Sequence, residues 1–147
     1  MFVGTIKEKG KGDGAIITTM LDSNLGLQNI LVVDDEEEAR LGLSKLLSVK
    51  GFKVFTASNG VEALEVLRNQ PTSVIITDIK MPEMDGLTFL REIRKLIPTV
   101  KVVIITGYGE VETYLEAMNL GAIEFLHKPI RFDDLVKVIY KVIDIRH

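Results

Sequence analysis

From residue 29 onward the chain alternates between two apolar patterns. Short apolar runs bounded by turn-forming or acidic residues predict strands at Ile30–Val33, Lys53–Ala57, Ser73–Thr77, Val100–Ile105 and Ala122–Leu126. Ile30-Leu31-Val32-Val33 and Val102-Val103-Ile104-Ile105 are apolar at every position, as expected of parallel strands covered on both faces. Between the runs, apolar residues recur at helical spacing. Ala39, Leu43, Leu46 and Leu47 share one face, with Gly51 as the stop. Val61, Leu64 and Leu67 follow an Asn59 cap, and Phe89, Leu90, Ile93 and Ile97 precede Pro98. Val111, Tyr114, Leu115 and Met118 form a fourth face, and Phe132, Leu135, Val136, Ile139, Val142 and Ile143 a fifth. All four prolines fall outside these helices. Such alternation predicts an α/β fold with a doubly wound, five-stranded parallel sheet and five helices.

Residues 1–28 break the rhythm. Phe2–Ile6 and Ala15–Leu21 are apolar, and the turn formers Lys9-Gly10-Lys11-Gly12-Asp13-Gly14 lie between them. A flexible or weakly docked hairpin is the expectation, because so short a pair buries little surface alone. Met20 is an alternative start. Gly10-Lys11 is not a phosphate-binding loop, since Gly12 follows where Ser or Thr is needed.

Composition narrows the class. The 147 residues are 46% hydrophobic and 27% charged, which is ordinary for one globular domain. A net charge of −3 argues against direct binding to nucleic acid or to an anionic membrane. With no cysteine, disulfides and thiolate metal sites are excluded. No apolar run approaches the roughly 18 residues that a membrane-spanning helix requires. Ala15–Leu21, interrupted by Thr18 and Thr19, makes a poor secretory segment, so a cytoplasmic protein is expected.

In a doubly wound sheet, ligands bind beyond the carboxyl ends of the strands. There the first run delivers Asp34-Asp35-Glu36, the third Asp78, the fourth Thr106 and the fifth Lys128. Clustered carboxylates repel, and a hard divalent cation such as Mg2+ relieves the repulsion through oxygen ligands. A remaining carboxylate oxygen is then able to attack phosphorus, while the metal and Lys128 neutralise charge on the transferred oxygens.

Four segments carry a resemblance. Asn29-Ile-Leu-Val-Val-Asp-Asp-Glu36, Val74-Ile-Ile-Thr-Asp-Ile-Lys-Met-Pro-Glu-Met-Asp-Gly86, Val102-Val-Ile-Ile-Thr-Gly107 and Phe125-Leu-His-Lys-Pro-Ile130 resemble the hallmark segments of response-regulator receiver domains of two-component systems, in the family's order and spacing. The likeness covers residues 29 to about 145, so a receiver at 29–147 is expected after an extension at 1–28. It implies a flavodoxin-like sheet with strand order 2-1-3-4-5. It implies Asp78 as phosphoacceptor, with Thr106 and Lys128 each holding a phosphoryl oxygen. Mg2+, or Mn2+ in its place, would be bound by Asp34, Asp35, Asp78 and the backbone carbonyl of Lys80. Thr106 and Phe125 would form a switch, Lys80 and Tyr108 would flank the path of hydrolytic water, and Lys128–Pro129 would be cis. The donor would be a histidine kinase or phosphotransfer protein. The output would pass to a protein partner or a second copy through the fourth helix, fifth strand and fifth helix. The chain would thus be a phosphoacceptor catalysing only its own phosphorylation and dephosphorylation, not a conventional enzyme.

Thr106-Gly-Tyr-Gly109 and Glu116–Gly121 are similar to receivers that precede ATPase transcription activators. No such module lies within these residues, so a stand-alone regulator or an excised receiver is expected. Rival chemistries fit less well. A haloacid-dehalogenase-type phosphatase needs a second Asp two residues after its nucleophile, and here Lys80 follows Asp78 at that distance. A dinucleotide site needs glycines after the first strand, where this chain has acids. A receiver-like module that binds without phosphorylation is the remaining alternative. Mg2+-dependent modification by acetyl phosphate separates it from a true acceptor. His127 and His147 read as surface residues.

Overall fold

The computed structural model describes residues 28–107 and 111–144. Residues 1–27 of the extension expected at 1–28, together with Tyr108 and His147, lie outside the described residues. The strands are β1 (Asn29–Val33), β2 (Lys53–Ala57), β3 (Val74–Thr77), β4 (Lys101–Thr106) and β5 (Glu124–His127). The helices are α1 (Glu37–Val49), α2 (Gly60–Asn69), α3 (Gly86–Leu96), α4 (Val111–Asn119) and α5 (Phe132–Asp144). All strands pair in parallel in the order β2-β1-β3-β4-β5, the flavodoxin-like order.

The strands' two-sided apolar character has a direct structural use. In β1, Leu31 and Val33 face one core cluster with Ile75, Leu64, Leu67, Phe89, Leu90 and Ile93. Ile30 and Val32 face the other, with Leu47, Ile76, Val103, Leu135 and Ile139. The sheet is therefore covered by α2, α3 and α4 on one side and by α1 and α5 on the other. Fully buried side chains such as Phe89 and Ile139 each contribute about 1.5–3 kcal/mol by leaving water.

Helices α2 and α3 start on side-chain caps: Asn59 Oδ1 accepts from Glu62 N–H at 2.8 Å, and Asp85 Oδ1 from Thr88 N–H at 2.8 Å. At the far end of the α3–α4 layer, the Arg94 guanidinium donates to the carbonyls of Pro98, Val100, Leu120 and Gly121. Desolvation at this packed position lowers its pKa.

Expectations for three helices and one strand are corrected. In α1 only Leu47 is buried, while Ala39 and Leu46 remain exposed. In α2, Val61 points outward and Ala63 takes its place in the core. In α4, Val111, Tyr114 and Leu115 are exposed and Ala117 is the buried residue, since the helix approaches the sheet through its smallest side chain. β5 also begins later than expected. Gly121 turns with φ +95°, and Ala122 N–H still bonds the Ala117 carbonyl of the preceding helix.

Candidate functional site

The strand order brings four separated residues to one edge. Asp34 follows β1, Asp78 follows β3, Thr106 ends β4 and Lys128 follows β5. Main-chain bonds carry the register past the strand ends: Asp34 N–H donates to Ala57, Asp78 N–H to Val33 and Lys128 N–H to Thr106, at 3.2, 3.1 and 2.9 Å. The Lys128–Pro129 peptide is cis, as expected.

Asp34, Asp78 and Thr106 are buried. The Lys128 ammonium bridges the two carboxylates, 2.8 Å from Asp78 Oδ2 and 3.0 Å from Asp34 Oδ2, with Glu36 Oε1 at 3.9 Å. Asp78 Oδ1 accepts from the N–H groups of Ile79 at 2.6 Å and Lys80 at 3.3 Å. Burial pushes the Asp78 carboxyl upward. The Lys128 hydrogen bond, the Thr106 hydroxyl, the Lys128 charge and the Ile79 N–H outweigh it, and the net pKa lies below the usual carboxylate value. Burial likewise pulls Lys128 down, but its bonds to Asp78 and Asp34 leave it above its ordinary value.

The expected site residues are not all gathered. Asp34, Asp78, Thr106 and Lys128 meet, whereas Asp35 and Lys80 are exposed beside them. Among the described residues no three acidic or histidine side chains form a ready ion-binding group. The ammonium lies between the carboxylates Asp34 and Asp78 instead. The donor set nonetheless suits a hard cation: oxygen ligands only, with acids Asp34, Glu36 and Asp78 facing one lysine and Asp35 exposed next to Asp34 in the chain. Phe125 is half-buried, its ring edge-on to Tyr114 with centroids 5.5 Å apart.

Two contributors escaped the sequence reading. Gly86 donates its N–H to the Ile79 carbonyl at 2.6 Å, closing the loop that follows Asp78. Met81-Pro82-Glu83-Met84-Asp85-Gly86 signalled a turn, and Glu83 adopts φ +70° within it. Arg40 Nη1 donates to the Asp34 carbonyl at 2.9 Å. A half-buried arginine in the first turns of a helix offers no sequence signal for such a role.

A family model described as "Response regulator receiver domain" matches residues 30–140. The transcriptional regulatory protein ZraR of Escherichia coli (strain K12) is 40% identical over 119 residues, 81% of this chain and 27% of that protein. Sporulation initiation phosphotransferase F of Bacillus subtilis (strain 168) is 29% identical over 119 residues, 81% of this chain and 96% of that protein. This chain thus spans about a quarter of ZraR but nearly all of the phosphotransferase. Among solved structures, a response regulator receiver domain protein from Clostridium thermocellum superposes with a TM-score of 0.76 at 39% identity, covering 82% of this chain and 97% of that one. A CheY-like receiver from Methanospirillum hungatei JF-1 gives 0.78 at 31% identity, covering 80% and 94%.

Proposed function

The chain belongs to the response regulator receiver domain family of two-component systems, and from that premise we propose that Asp78 accepts a phosphoryl group from a histidine kinase or phosphotransfer protein. The observation that carries this reading is the Lys128 ammonium shared between Asp78 and Asp34. A buried carboxylate kept ionised by a neighbouring cation is a nucleophile ready at neutral pH.

In the step itself, an Asp78 carboxylate oxygen forms a bond to phosphorus as the donor's P–N bond breaks. The released imidazole nitrogen keeps the electron pair. Lys128 and the Thr106 hydroxyl hold oxygens of the transferred group, which adds about −1.5 to −2 charge. Asp34, Asp35, Asp78 and the Lys80 carbonyl would hold Mg2+, with Mn2+ as substitute, and the ion would supply further charge neutralisation at the phosphoryl oxygens. The protein acts as a phosphoacceptor that catalyses only its own modification and its reversal.

Output would leave through α4, β5 and α5 to a protein partner or a second copy. Thr106, fully buried at the site, and Phe125, half-buried on β5, are its two switch residues. A phosphoryl group engaging the Thr106 hydroxyl would free space for Phe125 to rotate. The exposed apolar residues Val111, Tyr114 and Leu115 supply that surface. Lys80 and Tyr108 would set the lifetime of the phosphorylated form.

The test is incubation with acetyl phosphate and Mg2+, read by intact mass. One phosphate should add to the native chain and none to Asp78→Asn. Equal labelling of the variant refutes the assignment. No labelling of the native chain favours a module that binds without phosphorylation.

A further inference from the structure

α1 starts without the side-chain cap that α2 and α3 have. Its capping residue, Glu36, makes no side-chain bond to the helix amides, so the turn from β1 into α1 is fixed by other means. Asp34 accepts hydrogen bonds there at all three of its oxygens. Lys128 Nζ donates to Asp34 Oδ2 at 3.0 Å, the Glu36 N–H to Asp34 Oδ1 at 3.0 Å, and Arg40 Nη1 to the Asp34 carbonyl at 2.9 Å. Two of these bonds end on carboxylate oxygens, the atoms a divalent cation would claim. The third ends on the main chain, so the Arg40 bond need not break when a cation arrives.

Arg40 also grips the turn through its own backbone. Its N–H donates to the Glu36 carbonyl at 3.0 Å. The side chain thus holds the peptide that enters Asp35, and the main chain holds the carbonyl just past it. Asp35 is exposed between these two fastenings, and its carboxylate is aimed only as well as the backbone beneath it.

The position is a costly one for a cation. Arg40 is the fourth residue of α1, close to the positive end of the helix dipole. A guanidinium serving by charge alone would be better placed near the other end of the helix. Arg40 is instead half-buried and turned back toward the helix start, the direction helical side chains take. Its rigid fork of donors suits a fixed bond to a carbonyl.

We propose that Arg40 is a positioning residue for the cation site: its guanidinium and its N–H fix the turn that presents Asp34 and Asp35, and through that turn it sets how tightly Mg2+ is held. The effect on Mg2+ rests on the reading of Asp34 and Asp35 as cation ligands, whereas the anchoring of the turn does not. Charge and position predict opposite signs. Removing a cation from among Asp35, Glu36, Glu37 and Glu38 would by charge alone tighten Mg2+ binding. Loosening the turn weakens it, as loss of a group that orients a metal ligand does by roughly 10–100-fold.

The test is amide exchange without metal, then a Mg2+ titration followed by amide shifts, on the native chain, Arg40→Met and Arg40→Lys. In Arg40→Met the Asp35 and Glu36 amides should exchange about tenfold faster, as loss of a bond from a charged donor allows. Mg2+ should bind about tenfold more weakly, and acetyl phosphate labelling should return to the native rate at saturating Mg2+. Arg40→Lys, which keeps the charge and a donor, should fall between the two. Tighter Mg2+ binding by Arg40→Met overturns the proposal in favour of a charge effect. A lowered melting temperature with native Mg2+ affinity overturns it in favour of a merely structural arginine. Should Arg40→Met not fold, Arg40→Gln, equally neutral and two bonds shorter, carries the same signs. Absence of Mg2+ binding in every chain, native included, refutes the cation reading and with it the effect on affinity, and the exchange rates still decide whether Arg40 holds the turn.

Discussion

The side chain that Gly86 lacks would collide with the backbone of Asp78: a Cβ there would stand 2.6 Å from the Asp78 carbonyl oxygen and 2.6 Å from Ile79 Cα. Backbone cannot step aside as a side-chain end does, so Gly86→Ala should destabilise the fold by about 1–3 kcal/mol and reduce phosphate uptake. Gly60→Ala offers the contrast. Its Cβ would meet the flexible Met84 side chain at 2.9 Å, and it should be tolerated far better. Urea unfolding of both variants, followed by acetyl phosphate labelling, checks the pair. Equal stabilities would show that the loop after Asp78 yields freely.

Lys128 should govern the titration of Asp78. Asp78 titrates below its ordinary 3.8 in the folded chain, so its stabilising contribution is complete above 3.8 and fades as pH falls through the lowered value. Lys128 titrates above its ordinary 10.5, so its contribution is complete below 10.5 and fades as pH rises through the raised value. The pair therefore stabilises the fold throughout the interval between those values. Lys128→Met leaves Asp78 buried without its cation, and its carboxyl titration should move upward. A carbon-13 titration of the Asp78 carboxyl measures this, and an unmoved midpoint would contradict the assigned cause.

The phosphorylated form should be long-lived. Lys80 stands two residues after Asp78, and Tyr108 two after Thr106. A lysine is protonated at neutral pH and a tyrosine hydroxyl is a poor base there, so neither activates water. Tyr108→Ala and Lys80→Ala should each speed loss of phosphate, by roughly tenfold if about 1.4 kcal/mol of barrier is removed. The decay of labelled protein after donor removal gives the answer. Unchanged decay in both variants would mean that both side chains simply face solvent.

Phosphorylation should repack the Phe125 neighbourhood. The ring now rests edge-on against Tyr114, a contact worth about 0.5–1.5 kcal/mol. A phosphoryl mimic should shift amides chiefly across residues 106–130, and Tyr114→Ala should change the size of those shifts. Shifts confined to β1 and β3 would exclude the switch.

The strand order followed only from the family resemblance, whereas the layers were legible because parallel strands covered on both faces are written as unbroken apolar runs. β1 and β4 are the clearest examples. Helix faces were less legible. Val111, Tyr114 and Leu115 repeat as a core stripe would, yet they are exposed, because periodicity reports an apolar stripe without saying what covers it. At the site, strand ends located Asp34, Asp78, Thr106 and Lys128 correctly. The ammonium between two carboxylates and the tight passage of Gly86 past Asp78 depend on distances between remote segments. No local pattern encodes those distances.

Lys128 follows β5, an outermost strand of the sheet, whereas Asp34 and Asp78 follow the interior strands β1 and β3. An edge strand has ladder bonds on one side only and is the more readily frayed. Brief opening of β5 would withdraw the ammonium and leave two desolvated carboxylates facing each other while the remaining sheet stays closed. Amide exchange along β5, more than the melting temperature of the domain, should therefore track how often the acceptor is fit to react.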